Sequence, residues 1–412
     1  GSDALAAVGA TGTIVFFILG FMNGLTTGFT VLSSQRYGAG DYEGLRKSVG
    51  NAFVLGLIVT VIMTIASLLG MDWLLRIMQT PEDIFDMSKE YIVIICAGII
   101  FTTLYNLTAS ILRAVGNSKV PLYFLILSAL LNVVLDLFFI MVLSWGVAGA
   151  AIATVISQGV SGILCLVFLL TKVDILKLKK EHFKLDPVSA RIQLNIGIPM
   201  ALQFSITAIG TMILQAALNL LGSTVVASYT AACKVEQLVT QAFQAMGMTM
   251  ATYSAQNWGI HSTDRIRKGQ KTAMVLSCGY AVVIYFVVLA ILPFMTSLFF
   301  DGDLTTVIGY VREYIQICGL CFIPLGMIFI YRNVLQGCGY ALFPTLGGVV
   351  ELVSRSVFAF IAARAMSYTG ICVANASAWV TAGIFLWIAY LFIMKDILKK
   401  DKERELQKKA DI

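Results

Sequence analysis

The sequence is poor in charge and nearly devoid of histidine. Only 13% of its 412 residues are Asp, Glu, Lys or Arg, while 58% are hydrophobic and the mean hydropathy is +0.86. A soluble chain carries about a quarter charged residues, so the deficit excludes a soluble enzyme, a disordered protein and a nucleic-acid binder. The two histidines, His182 and His261, stand in polar connecting segments, which argues against histidine catalysis and histidine metal sites. Eight cysteines lie mostly in apolar stretches and read as small buried hydrophobes, not as a disulfide framework. Cys318-Gly319-Leu320-Cys321 has the spacing of a redox or metal motif, but no second pair and no histidine accompanies it. Packing is its expected role. With no nucleophile-and-base grouping either, an enzyme is not expected.

What the sequence does have is long apolar runs. A helix needs about 20 such residues to cross a bilayer core. Eleven stretches qualify, at 10–34, 48–70, 88–112, 120–143, 147–171, 192–219, 230–256, 272–298, 309–335, 341–364 and 370–394. Barrel strands would be about ten residues long and alternating, so the fold class is an all-α polytopic membrane protein. Pro81, Gly116 with Pro121, Pro187, Gly259, Gly302, and Gly339 with Pro344 supply the breaks between spans.

Basic residues orient the spans. With Arg36, Arg46 and Lys47 inside, alternation also places inside Arg113, Lys119, Lys172 to Arg191, Arg265 to Lys271 and the tail Lys395 to Lys409. That collects 22 of the 29 Lys and Arg, against three outside (Arg76, Lys89 and Arg312). The C-terminus is therefore expected in the cytoplasm and residue 1 outside it. The net charge of +6 belongs to this asymmetry. The implied location is the inner or plasma membrane, with the lipid bilayer as partner and no nucleic acid.

The chain also repeats itself. A shift of 221 residues lays Gly1-Ser2 on Gly222-Ser223, Ser33 on Ser254, Gln35 on Gln256, Gly38 on Gly259 and Arg46-Lys47 on Arg267-Lys268, within ten identities in 52 positions. A shift of 223 lays Leu112, Gly116 and Pro121 on Leu335, Gly339 and Pro344. Both matched loops are cytoplasmic, so each half needs an even number of spans. The second half supplies six and the first five; the span 192–219 has no counterpart. Two six-helix lobes are expected in the intact chain, twelve helices with the first missing here and about 35 residues preceding Gly1, the separation of Pro187 from Gly222. The expected division is an N-lobe over 1–171, a basic amphipathic linker over 172–190, a C-lobe over 191–395 and a basic tail over 396–412. Such repeats suggest alternating access around a cavity near the midplane.

Ionisable residues inside spans are costly and mark a pathway or a pair. Asn132 and Asp136 are one turn apart on one face. A carboxylate beside an amide oxygen can ligate Na⁺, or the carboxylate can carry a proton; a helix-to-helix hydrogen bond is the structural alternative. Lys234 and Glu236, two apart, each need a partner elsewhere. Glu236 can attract a cationic substrate or pair with Arg332 or Arg355. Glu351 and Arg355, four apart, can close within one helix. Small residues such as those of Gly146-Val147-Ala148-Gly149-Ala150-Ala151 suit close helix packing and not phosphate binding.

Taken in order, these segments resemble the multidrug and toxic compound extrusion (MATE) family over essentially the whole length. The residues that carry it are Gly1-Ser2 with Ala6-Ala7-Val8, Ser34-Gln35-Arg36-Tyr37-Gly38-Ala39-Gly40-Asp41, and its echo Ala255-Gln256-Asn257-Trp258-Gly259. Arg113-Ala114-Val115-Gly116-Asn117, Asn132 with Asp136, Gly197-Ile198-Pro199 and Leu335-Gln336-Gly337-Cys338-Gly339 add to it. The resemblance implies an antiporter that expels amphiphilic, cationic organic molecules in exchange for Na⁺ or H⁺, with no other cofactor and acting as a monomer. In one branch of the family an Asp of the first helix joins an Asn and Asp of the fifth and a Thr of the sixth; Asn132, Asp136 and Thr154 match the last three. Another branch uses a Glu of the seventh helix where this chain has Gln203, which cannot titrate. Gln203, Lys234, Glu236, Glu351 and Arg355 remain candidates for a C-lobe cavity or coupling role. A flippase for lipid-linked oligosaccharides, or a polysaccharide exporter of the same superfamily, is the alternative toward which Arg332 and Arg355 point.

Overall fold

The computed structural model describes residues 2–78, 80–297 and 304–410; Gly1 of the repeat and the break expected at Gly302 fall outside them. All regular structure among the described residues is helical. The first half comprises α1 (Ser2–Gly38), α2 (Tyr42–Ile77), α3 (Glu82–Ala97), α4 (Ile99–Ala114), α5 (Lys119–Leu137) and α6 (Gly146–Lys172), with α5 prolonged by a π-helical turn at Phe138–Val142. Two short 3-10 turns, Asp174–Leu176 and Lys180–Phe183, lead into α7 (Pro187–Asn219). The rest is α8 (Ser223–Gly259), α9 (Thr263–Ser297), α10 (Leu304–Gly319), α11 (Phe322–Gly337), α12 (Leu342–Arg364) and α13 (Tyr368–Ala410).

Among the described residues, eight helices are long and apolar enough to cross a membrane. Two bent pairs, α3–α4 at 45° and α10–α11 at 52°, each qualify as one broken span. The span expected at 230–256 falls on α8, which has the length but is made too polar by Lys234, Glu236, Gln237, Gln241 and Gln244 to qualify on composition.

The sequence repeat is a repeat of elements. Adding 221 to the limits of α1 gives those of α8, and adding 223 to the limits of α4 gives those of α11. The turns after α4 and α11 share one backbone solution: Gly116 at φ +87° and Gly339 at φ +88°. A side chain would strain that left-handed conformation, and the following Pro121 and Pro344 lie near the starts of α5 and α12, where their missing N–H costs little. α7 has no counterpart among the described helices.

The chain divides into two compact units, Gly1–Ser205 and Ile206–Ile412. The boundary between these compact units lies inside α7, whose first half is locked to α1. A Cβ on Gly28 would stand 2.4 Å from the Gly197 Cα, and one on Gly24 would stand 2.7 Å from the Met200 carbonyl oxygen. Only glycine permits this approach. Gln193 of α7 donates to the carbonyl oxygens of Ser48 (2.8 Å) and Phe29 (3.1 Å).

The connector is fastened to the same unit. Arg46 Nε donates to the Ile175 carbonyl (3.0 Å), and the Asn51 amide accepts from Asp186 N–H (2.9 Å) and donates to the Gln193 side chain (3.3 Å). Leu176 and His182 are buried, and His182 Nε2 meets Glu43 at 3.3 Å. The Asp186 carboxylate caps α7 by accepting from Ser189 N–H at 2.8 Å, and these Ser189 hydrogen bonds hold its carboxyl below the usual range.

Leu25 and Phe29 of α1, Val49 and Ala52 of α2 and Ile111 of α4 form one core of the first unit. Phe243, Tyr314 and Phe322 centre the core of the second. α5, by contrast, buries only Pro121 and Ser128 and turns Leu122, Leu130, Val133 and Val134 outward, the surface expected of a helix solvated by lipid. The tail continues α13 as helix to Ala410.

Candidate functional site

In the first unit the α5–α6 hairpin carries the candidate cation site. Its turn is tight: Ser144 and Gly146 have φ of 57° and 55°, and Phe139 stacks on Trp145 with ring centroids 5.1 Å apart. Deeper in the hairpin, the Ser128 hydroxyl donates to the Ser157 carbonyl at 2.9 Å. Between these two ties, the Asn132 amide donates to Thr154 Oγ1 at 3.4 Å, and Thr154 in turn donates to the Ala150 carbonyl at 3.0 Å.

Asp136 sits one turn beyond Asn132, half-buried, with its buried Oδ1 lacking a hydrogen-bond partner among the described residues. Among those residues it also forms no ion pair, although ten other pairs close within 4.0 Å. The π turn begins two residues later, and such turns interrupt helices frequently at functional sites. An unpaired carboxylate oxygen one turn from an amide that contacts a Thr hydroxyl offers the kind of oxygen donors a hard cation takes. It can equally take up a proton. Among the described residues no cluster of three His, Cys, Asp or Glu could hold a transition metal.

The second unit assembles the other candidates into two groups. Glu351 receives Arg355 Nη2 at 2.7 Å within α12 and Arg332 Nη2 at 3.5 Å from α11. All three side chains are buried, and the Nε atoms of both arginines lack partners among the described residues. Arg355 lies over Gly210 of α7, where a Cβ would meet its guanidinium at 2.8 Å. Glu236 takes neither arginine. Its carboxylate accepts instead from the Tyr314 hydroxyl, and Tyr314 accepts from the Asn375 amide at 2.8 Å. Lys234 is exposed on the other side of α8.

Gln203 is buried in the first half of α7, within the first unit. Tyr314 and Asn375 were missed. The signal available was Asn375 itself, a lone amide inside the apolar run Cys372-Val373-Ala374-Asn375-Ala376. A Tyr is common in such spans and gives no warning.

A family model described as MatE matches residues 1–138 and 199–361. The chain belongs to the MatE family. Its members are membrane transporters. The chain is 32% identical over 271 residues to the probable multidrug resistance protein YpnP of Bacillus subtilis, a match covering 65% of this chain and 59% of that protein. It is 26% identical to the probable multidrug resistance protein YoeA of the same organism, covering 99% of this chain and 89% of YoeA. A solved MATE structure, in complex with MaL6, superposes with a TM-score of 0.91 at 22% identity, covering 97% of this chain and 90% of that one. At that identity the superposition establishes a MATE fold.

Proposed function

We propose that this MatE protein is a secondary active antiporter that exports amphiphilic, cationic small molecules in exchange for Na⁺ or H⁺ by alternating access, from the cell membrane and with its C-terminus in the cytoplasm. The observation that carries the reading is the orphaned Oδ1 of Asp136 beside the Asn132–Thr154 contact. A carboxylate kept half-buried without a counter-charge is expensive, and an exchangeable cation compensates it in one state of the cycle. Asn132 and Thr154 contribute neutral oxygens, and entry of the cation from outside favours release of the substrate. The names of YpnP and YoeA support drug export as the class of activity.

The C-terminal candidates take structural roles in this reading. Glu351 neutralises Arg332 and Arg355, and Glu236 is occupied by Tyr314. The two arginines are thereby engaged, which weighs against a basic cavity for a lipid-linked oligosaccharide. The test is efflux of a fluorescent organic cation from proteoliposomes, with Na⁺ and pH gradients imposed separately. Acceleration by one gradient and not by a matched K⁺ gradient supports antiport; efflux indifferent to every gradient refutes it.

A further inference from the structure

A groove in the first unit lies apart from the Asp136 hairpin. It is lined by Phe53, Leu57 and Thr60 of α2, Ile100 and Leu107 of α4, Leu170 of α6, and Leu178 and Phe183 of the connector. Its volume is about 440 Å³, within the ~300–1,000 Å³ of small-molecule pockets. Leu57, Ile100, Leu170 and Phe183 remain 41% or more exposed, so the groove opens sideways, toward lipid in a membrane. Phe53 and Thr60 are seven residues apart, which gives it a depth of about 10 Å along α2 at 1.5 Å per residue. Its sparse polarity consists of the hydroxyls of Thr60 and Thr103, both buried and without partners among the described residues. A chain of methylenes suits such walls; a charged or strongly hydrogen-bonding solute does not.

The connector residues that line the groove have basic neighbours. Leu178 is flanked by Lys177 and Lys179, Phe183 is followed by Lys184, and Leu170 lies two residues before Lys172. All these lysines and Lys180 are exposed. Lys177 is paired with Asp174 at 2.8 Å and Lys179 with Glu181 at 3.7 Å. Lys172, Lys180 and Lys184 form no ion pair among the described residues. The connector that carries them is held in place by the Arg46, Asn51 and His182 contacts described above, so charge and groove are presented together.

We propose that this groove is a binding site for an anionic phospholipid, with an acyl chain between α2, α4 and α6 and the phosphate headgroup at Lys172, Lys180 and Lys184. The inference rests on the membrane reading of the fold and not on the coupling role of Asp136. Positive charge at a membrane surface attracts anionic headgroups, and a hydrocarbon slot directly beneath it distinguishes a site from diffuse attraction. The connector then serves as the lipid-facing clamp of the first unit.

The test uses the full chain purified in detergent, mixed with phosphatidylglycerol or phosphatidylcholine of matched chains, and native mass spectrometry to count bound lipids. Wild type should retain phosphatidylglycerol at least about fivefold over phosphatidylcholine. The triple variant Lys172→Gln, Lys180→Gln, Lys184→Gln should lose that preference. Leu57→Trp, a substitution at an exposed position that fills the groove, should reduce retention of both lipids. Equal retention of the two lipids by wild type overturns the proposal. So does a preference that survives both variants, which would place the lipid elsewhere, and so does displacement of neither lipid by the tryptophan. Because no transport is measured, these outcomes are independent of whether the antiport reading holds.

Discussion

Glu351 and Arg355 close a 2.7 Å ion pair across one turn of α12, and Arg332 of α11 reaches the same carboxylate from the side. Two buried guanidinium groups depend on one acid. Removing that acid leaves two uncompensated charges, whereas breaking a buried pair already costs about 3–5 kcal/mol. Glu351→Leu is therefore expected to lower stability by at least about that amount, and adding Arg355→Met to it should restore part of the loss. Chemical unfolding in detergent of the single and double variants checks both statements.

A second prediction concerns the contact that ties α7 to α1. Gly28→Leu places a side chain where even a Cβ meets Gly197 backbone at 2.4 Å. Helix backbones cannot yield as a flexible side chain can, so the substitution should destabilise by at least the ~1–3 kcal/mol of overpacking. Gly12→Leu is the control, since a Cβ at Gly12 meets nothing within 4 Å. Comparing the melting temperatures of the two variants separates close packing from the general cost of leucine.

The cap of α7 gives a pH dependence. Hydrogen bonds from Ser189 hold the Asp186 carboxyl below its usual value of about 3.9. A depressed carboxyl contributes stability that is present above the unfolded-state value and is lost as pH falls through the folded one. Backbone amides of the first turn of α7 should therefore exchange faster below about pH 4, measured against the intrinsic rate. Asp186→Ala should show the faster exchange at neutral pH as well.

Much of this architecture is legible in the sequence, because apolar run length and the 221-residue shift are properties of local composition. α1 and α8 end on the equivalent glycines Gly38 and Gly259, and the turns at Gly116 and Gly339 repeat to within a degree. The bends are not legible. Gly98 lies inside an unbroken apolar run, and at its break Val155 of α6 packs so close that its Cγ2 would stand 2.4 Å from a Cβ at that glycine. In Cys318-Gly319-Leu320-Cys321, Cys318 is fully buried as packing requires, but that the four residues carry the chain from the end of α10 to the start of α11 at Phe322 is not visible in their spacing. The same limit applies to the site. Asn132, Asp136 and Thr154 could be found from polarity and resemblance, but the partner of Glu236 came from a helix 78 residues away. Sequence spacing finds neighbours on one helix and is silent about those on another.

A fourth prediction follows from that partner. Tyr314→Phe removes the donor to Glu236 and the acceptor for Asn375 together, leaving two polar groups unsatisfied at about 1–3 kcal/mol each. Glu236→Gln keeps hydrogen-bonding capacity and should cost less. If Glu236 served instead as a coupling acid, Glu236→Gln would abolish gradient-driven efflux while Tyr314→Phe spared it. Parallel stability and efflux measurements on the two variants distinguish these cases, and the account expects stability to carry the difference.

The central claim is that Asp136 holds the exchangeable cation. The most direct measurement is gradient-driven efflux from proteoliposomes containing Asp136→Asn, alongside its binding of the same fluorescent substrate in detergent. Asparagine keeps the size and hydrogen bonding of the side chain but carries neither charge nor a titratable proton. The account predicts near-normal substrate binding and efflux reduced to the level of protein-free liposomes. Efflux at the wild-type rate, still accelerated by the Na⁺ or pH gradient, would contradict it.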